Sequence, residues 1–335
     1  MDRRSTLTLF AIAAIVIVAA TAIAVLDDDG PPLSAPPATT ATTTSGVGDT
    51  TTTTAPSTTE PPPATLPPGT TVCDRYSAIT VAGSVAAPGL VEASGMAASR
   101  IRPGMLWSHN DSRDGARVYA IGPDGADLGA FDVAGAHAFD WEDMAIASGP
   151  DSEIPYLYLG DIGDNFSIRS GRITVYRVPE PDTEARPGSI EGAVPLEFAY
   201  PDGVFNAEAL FVADDSLYIV TKDRQEARVY RGNAGGDGSS VETLQLVATL
   251  QLNAEVSGAT VSWDGATIAF RGYRTVWLWH RSPDESIADT LAKPPCTAPS
   301  PDEIQGEAIA FLSDGGYATI SEGANPLLNV VPITP

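Results

Sequence analysis

The sequence predicts an all-β fold, a five-bladed β-propeller of four-stranded blades, on three observations. Five segments of one design recur about every 50 residues, the spacing of propeller blades. Each is followed by a turn and a second apolar strand of similar length. The composition is turn-rich, with 31 Gly and 28 Pro in 335 residues and 43% hydrophobic side chains, so the chain can bury a core while spending many residues on turns.

The chain divides into three parts: 1–30, 31–70 and 71–335. Residues 7–26 form an uncharged apolar run, preceded by Arg3 and Arg4 and followed by Asp27, Asp28 and Asp29. A helix of that length spans a bilayer, and the basic flank stays cytoplasmic, so the chain beyond residue 26 is expected on the outer side. The alternative is a secretory signal cleaved near Ala22 and Ala24. An uncleaved transmembrane anchor is preferred because the run is long for a signal, and both readings place the domain extracytoplasmically. Residues 31–70 hold 14 Thr and 10 Pro. Such a stretch cannot bury enough surface to offset its ordering entropy, and it reads as a disordered stalk.

Six acids and two bases precede residue 71, so the 71–335 domain carries a net charge of −20 out of the chain's −24. A polyanion repels phosphate backbones, which excludes nucleic acid as a partner. Only Lys222 and Lys293 are lysines, and two cysteines preclude a Cys-ligated zinc module.

The repeats are 92–98, 140–146, 206–212, 255–261 and 305–311, each an apolar strand bearing Ser or Glu at one register. Second strands come next at 105–108, 156–159, 217–220, 268–271 and 317–320, behind hairpin turns such as Trp263-Asp264-Gly265 and Ser313-Asp314-Gly315. Third strands recur as Val118-Tyr119, Val175-Tyr176, Val229-Tyr230 and Val276-Trp277, with a weaker version at Leu328-Asn329-Val330, and their aromatic residues suit packing between blades. Fourth strands are expected at 127–133, 194–200 and 244–252. The fifth unit has no room for an outer strand, whereas 76–85 is an unassigned alternating segment; this N-terminal strand is expected to complete the last blade. Pro294, Pro295, Pro299 and Pro301 argue against a sixth blade within 280–304. Cys73 then lies just before the closing strand and Cys296 in the connector to the last blade, and in an exported protein the two are expected to form a disulfide.

The innermost strands of a propeller line its channel, so Ser94, Glu142, Glu208, Ser257 and Glu307 should form a ring. Three converging carboxylates repel unless a cation neutralises them, and oxygen-only ligands suit a hard ion. Ca²⁺ is preferred to Mg²⁺ because five positions leave a wide, adaptable cavity. The alternative is that the glutamates bond backbone amides of neighbouring strands.

The Ser-Glu-Glu-Ser-Glu order, with the stretch from Asn110-Asp111-Ser112-Arg113 to Tyr119, resembles the calcium-activated nucleotidases (apyrases), five-bladed propellers with a central calcium. The resemblance covers 90–330 in pattern and only short motifs in identity. It implies a central calcium and phosphoanhydride hydrolysis at the channel mouth. Asp140-Trp141-Glu142-Asp143 and Asp161-Ile162-Gly163-Asp164-Asn165 depart from that pattern and look more like bacterial secreted propellers, including phytase-like ones.

Asn110, Asp140, Asp143, Asp164, Asn165, Arg169, Lys222 and Arg271 are expected beside the ring as a ligand pocket for a small molecule or a protein. In a hydrolase, Asp111 or Asp161 would activate water and Arg113 stabilise developing charge; residue by residue, Asx-rich loops also serve as plain turn chemistry. Three functions are consistent with these residues: an exported, monomeric binding or interaction propeller with a structural calcium; a calcium-dependent phosphohydrolase; and, third, a glycoside hydrolase with a central carboxylate pair.

Overall fold

The computed structural model describes residues 66–151, 153–182 and 188–334. The apolar run 7–26 and the Thr/Pro-rich stretch as far as residue 65 lie outside the described residues. Among the described residues no helix is long and apolar enough to cross a membrane.

The chain's first strand, β1 (Thr80–Ser84), belongs to the last blade. Blade 1 runs from the channel outward as β2 (Ala93–Ala98), β3 (Leu106–Asn110), β4 (Arg117–Ile121) and β5 (Asp127–Val133). Blade 2 is β6 (Trp141–Ser148), β7 (Pro155–Asp161), β8 (Arg172–Pro179) and, after the two-residue β9 (Ser189–Ile190), β10 (Val194–Ala199). Blade 3 is β11 (Ala207–Ala213), β12 (Ser216–Thr221), β13 (Ala227–Asn233) and, after β14 (Glu242–Thr243), β15 (Gln245–Leu250). Blade 4 is β16 (Gly258–Val261), β17 (Thr267–Gly272), β18 (Thr275–His280) and β19 (Cys296–Ala298). Blade 5 is β20 (Gly306–Phe311), β21 (Tyr317–Ser321) and β22 (Leu327–Val331), completed by β1.

Closure by the N-terminal strand is therefore as the sequence predicts, with Thr80 opposite Val330 and Ser84 opposite Leu327. The 280–304 segment yields no sixth blade; it supplies the outer strand of blade 4, which sequence reading leaves unassigned.

The hydrophobic cores lie between blades. On β12, Leu217 and Ile219 pack toward blade 2 while Tyr218 and Val220 pack toward blade 4. A strand buried on both faces reads as a continuous apolar run, which is why these second strands show no polar alternation. The Val-Tyr pairs divide the same way: Val229 faces blade 4 and Tyr230 blade 2.

In blades 2 to 4 the connection to the outer strand also reaches back to the blade before it. β9 pairs parallel with β5, β14 pairs parallel with β10, and the short helix α1 (Ile287–Leu291) of blade 4 packs on β15. The corresponding segment of blade 5 is the N-terminal arm, whose 3₁₀ turn Val72–Arg75 contacts β18 and β19. There the expected disulfide forms, Cys73 to Cys296, with Cα atoms 6.1 Å apart. It replaces the chain continuity that the other four blades have at this position.

Candidate functional site

A bulge marks the ring register. Pairing between first and second strands slips at Ala93/Met96, Trp141/Asp143, Ala207/Ala209 and Gly306/Ala308, so Ser94, Glu142, Glu208 and Glu307 each fall within an irregularity. In blade 4 the N–H of Ser257 bonds the carbonyl of Arg271, which also pairs with Gly258, so two residues again oppose one. A bulge re-aims a side chain out of the pleat. All five ring residues are buried.

The residues that follow the ring positions are Gly95, Asp143, Ala209, Gly258 and Ala308, one carboxylate among four small side chains. Asp143 Oδ2 accepts the N–H groups of Leu210 at 2.8 Å and Ala259 at 3.0 Å, and Oδ1 that of Met144 at 2.8 Å. One side chain thus ties the inner strands of blades 2, 3 and 4. Burial pushes this carboxyl upward, and the three N–H groups oppose the rise. Toward the other end of the channel a partly open space of about 20 Å³ is lined by Met96, Met144, Phe211 and Phe311 and bordered by Trp263, whose ring centroid lies 4.1 Å from the Arg100 guanidinium. The ring and the acidic residues around it form a well.

Above the ring a second tier comes from the residues two places before each ring position and those that follow each second strand. It adds Glu92, Asp111, Asp140 and Glu322 to Glu142, Glu208 and Glu307. Burial and the neighbouring carboxylates act together here. Burial and Glu208 push Glu307 up to about 9. Burial, Asp111 and Glu92 push Glu322 up to about 7, and burial raises Asp111 to about 6. Glu142 is driven well above the carboxylate range by burial, then by Glu208, Asp140 and Asp111. One ammonium sits among them: Lys222 Nζ is 2.8 Å from Glu208 Oε1 and 5.5 Å from the Tyr273 ring centroid. Burial alone would lower Lys222, and Glu208 with Tyr273 more than reverses that.

The ring suits a hard cation in its chemistry and not yet in its spacing. Buried Glu142 Oε1 and Glu307 Oε2, with Asp111 Oδ1, have no hydrogen-bond partner among the described residues. A Cβ at Gly163 would fall 2.1 Å from Glu142 Oε1 and 2.6 Å from Asp140 Oδ2, so this glycine makes room for both carboxylates. Against this, among the described residues no three His, Cys, Asp or Glu side chains are gathered closely enough to hold a metal ion. A bound cation must draw the ring side chains inward and compete with Lys222. The backbone-amide alternative finds no bond to Glu142, Glu208 or Glu307 among the described hydrogen bonds; Glu208 is instead held by Lys222 and Asn206.

The remaining candidates have partners of their own. Asn110 clips its loop, accepting from Val91 and Glu92 N–H at 2.9 Å each and donating to Gly89 O and Asp114 Oδ2. Asp161 is paired with Arg169 and accepts the Asp140 N–H at 2.9 Å. Asp164 caps its own loop at the Ile168 N–H, 2.7 Å away, and Asn165 accepts from Asn206. Arg113 is paired with Glu92 at 3.0 Å, its side chain 84% exposed. Arg271 is buried between blades 4 and 5 on Glu303. Of the three residues assigned chemistry, Asp111 alone keeps a buried unpartnered oxygen. The candidates read from sequence do not include Glu92, Asn206, Tyr273 and Glu322; Glu92 and Asn206 open their repeats two residues before the ring position, and extending the second strands 268–271 and 317–320 by two residues finds Tyr273 and Glu322.

No protein-family model matches the chain, and no curated protein sequence does either. Several solved structures align with it at low TM-score. The WD40 repeats of RRP9 align with TM-score 0.41 and 12% identity over 77% of this chain and all of that one. Glucose dehydrogenase gives 0.45 and 10% over 77% of this chain and all of that one. A protein of unknown function from Bacteroides thetaiotaomicron gives 0.41 and 10% over 76% of each chain. Likeness of this size concerns the fold alone.

Proposed function

We propose that this protein is an extracytoplasmic binding propeller whose acidic well takes up a hard cation, Ca²⁺ before Mg²⁺. The observation that carries the reading is the pair of buried, unpartnered carboxylate oxygens on Glu142 and Glu307, set in a ring that the bulges aim into one channel. A buried carboxylate without a donor is costly, and a divalent ion removes that cost for several carboxylates together. The disulfide, the apolar run 7–26 and the Thr/Pro-rich stretch support placement outside the cytoplasm, anchored or released. Thermal melting of the full chain with Ca²⁺, Mg²⁺ or chelator tests the reading. Calcium at about 100 times its Kd adds about 2.7 kcal/mol, which raises Tm by roughly 5–10 °C. An unchanged Tm at saturating calcium contradicts it.

A calcium-dependent phosphohydrolase is the second reading, favoured by Asp111, whose buried oxygen is unpartnered and whose pKa near 6 suits a general base. Release of phosphate from nucleotides, abolished by Asp111→Asn, would establish it. The glycoside hydrolase stays third: the Lys222 ammonium sits on Glu208, which leaves Glu142 and Glu307 as the one carboxylate pair of the ring without a cationic partner.

A further inference from the structure

Blade 2 raises an apolar lip beside the well. Loop 162–171, between β7 and β8 on the mouth side, carries Phe166 at 83% exposure and Ile168 at 60%. Phe139, 56% exposed, enters the same rim from the connector before β6, with the Arg169 guanidinium 4.5 Å from its ring centroid. Val204, 46% exposed, comes from the connector before β11. Leaving such side chains in water forgoes the gain of burying them, and an apolar patch with a polar border marks an interaction site.

The loop is held in place. Asp164 accepts the Ile168 N–H at 2.7 Å, and its own N–H is bound by Asn206 Oδ1 at 2.6 Å. The amide nitrogen of Asn206 then donates to Asn165 Oδ1 and to the ring carboxylate Glu208, both at 3.1 Å. The lip is thus wired to the well, and its apolar groups face outward on a fixed support.

We propose that lip and well form one docking site for a basic segment of a partner protein, an Arg or Lys side chain entering the well while its apolar neighbours cover Phe166 and Ile168. The inference rests on the cation reading only for the polarity of the well. Charge complementarity selects this occupant: the well offers buried unpartnered carboxylate oxygens against a single ammonium, so a basic group is drawn in and an acidic one repelled. A guanidinium on a long stem presents five donors to such oxygens. A second copy of this chain is a poor occupant, since each copy carries a net charge of −24.

The test is fluorescence anisotropy of labelled peptides with the chelator-stripped full chain, so that a bound ion does not occupy the well. The probe alternates arginine and leucine; in the controls glutamate replaces arginine, or serine replaces leucine. The arginine–leucine probe is expected to bind saturably, and the paired change Phe166→Ser with Ile168→Ser to weaken it about tenfold or more. Glu142→Gln should weaken it as well, the glutamate peptide should not bind, and the serine peptide should bind less tightly. Equal binding to parent and lip variant, or equal binding of the glutamate peptide, overturns the proposal. Calcium affinity of the same lip variant, read by terbium luminescence, separates the two readings. A lip variant that binds the ion normally in a protein that ignores the arginine–leucine probe overturns docking alone. Lip-dependent capture of that probe by a protein blind to both ions supports docking and overturns the cation reading alone.

Discussion

Asp143 is expected to be the most sensitive single position in the channel. Its carboxylate satisfies three buried N–H groups, those of Met144, Leu210 and Ala259, drawn from three blades. Asp143→Ala orphans all three, and a buried donor without an acceptor costs about 1–3 kcal/mol. Allowing for relief from burying a carboxylate and for a water filling part of the space, the loss is about 3–6 kcal/mol, or roughly 6–20 °C in Tm for a domain of this size. Asp143→Asn is the control. Its amide oxygen can take the Oδ2 position and keep the Leu210 and Ala259 bonds, while its NH₂ then opposes the Met144 N–H. The loss is then about 1–2 kcal/mol. Urea titration and thermal melting, in chelator so that ion binding does not intrude, give both values. A cost below about 1 kcal/mol for Asp143→Ala, or a larger cost for Asp143→Asn than for Asp143→Ala, refutes the hub.

Lys222→Met should tighten divalent-ion binding about tenfold or more, since it removes a unit positive charge from Glu208; calorimetric titration reads it, and weaker binding would show that the lysine helps to build the site. Stability without divalent ions should depend on pH with opposite signs from two groups. Glu307 is raised from 4.5 to about 9, so its contribution is full below pH 4.5 and is lost as pH rises through 9, about 3 kcal/mol of it by pH 7. His109 is lowered from 6.5 to about 4, chiefly by burial, so its contribution is full above pH 6.5 and is lost as pH falls through 4. Glu322 and Asp111, raised to about 7 and about 6, add to the sign of Glu307, so chelated protein should lose stability from about pH 5 toward pH 9; calcium should flatten that limb, and a limb unaltered by calcium counts against the site. Reduction of Cys73–Cys296, which closes a separation of 223 residues, should lower stability by as much as about 5 kcal/mol. Equal melting curves with and without reductant would show that β1 holds the ring without the bridge.

The blade repeat is legible in the sequence because each strand repeats the same solution to the same packing problem. Buried on two faces, Leu217-Tyr218-Ile219-Val220 and its counterparts have to stay apolar, and the closing role of β1 can be read from an incomplete fifth unit. The five ring positions are legible for a related reason, since their register survives even where Ser replaces Glu. What the repeat does not show is how each polar side chain spends its hydrogen bonds. Asp143, Asp161 and Asp164 are alike in sequence, yet Asp143 spans three blades, Asp161 holds Arg169 and Asp164 caps a loop. Lys222 stands out as a rare lysine, but its place on Glu208 depends on the length of one turn. β9, β14 and β19 escape sequence reading because two- and three-residue strands carry no periodicity; their partners alone define them.

The central claim is that the ring binds a hard cation through Glu142 and Glu307. Isothermal titration of Ca²⁺ into the chelator-stripped full chain tests it most directly, beside the double variant Glu142→Gln with Glu307→Gln. Saturable binding of one ion by the parent, absent in a double variant that melts no lower than the parent in chelator, is the predicted result. No binding by the parent, or equal binding by the variant, contradicts the claim.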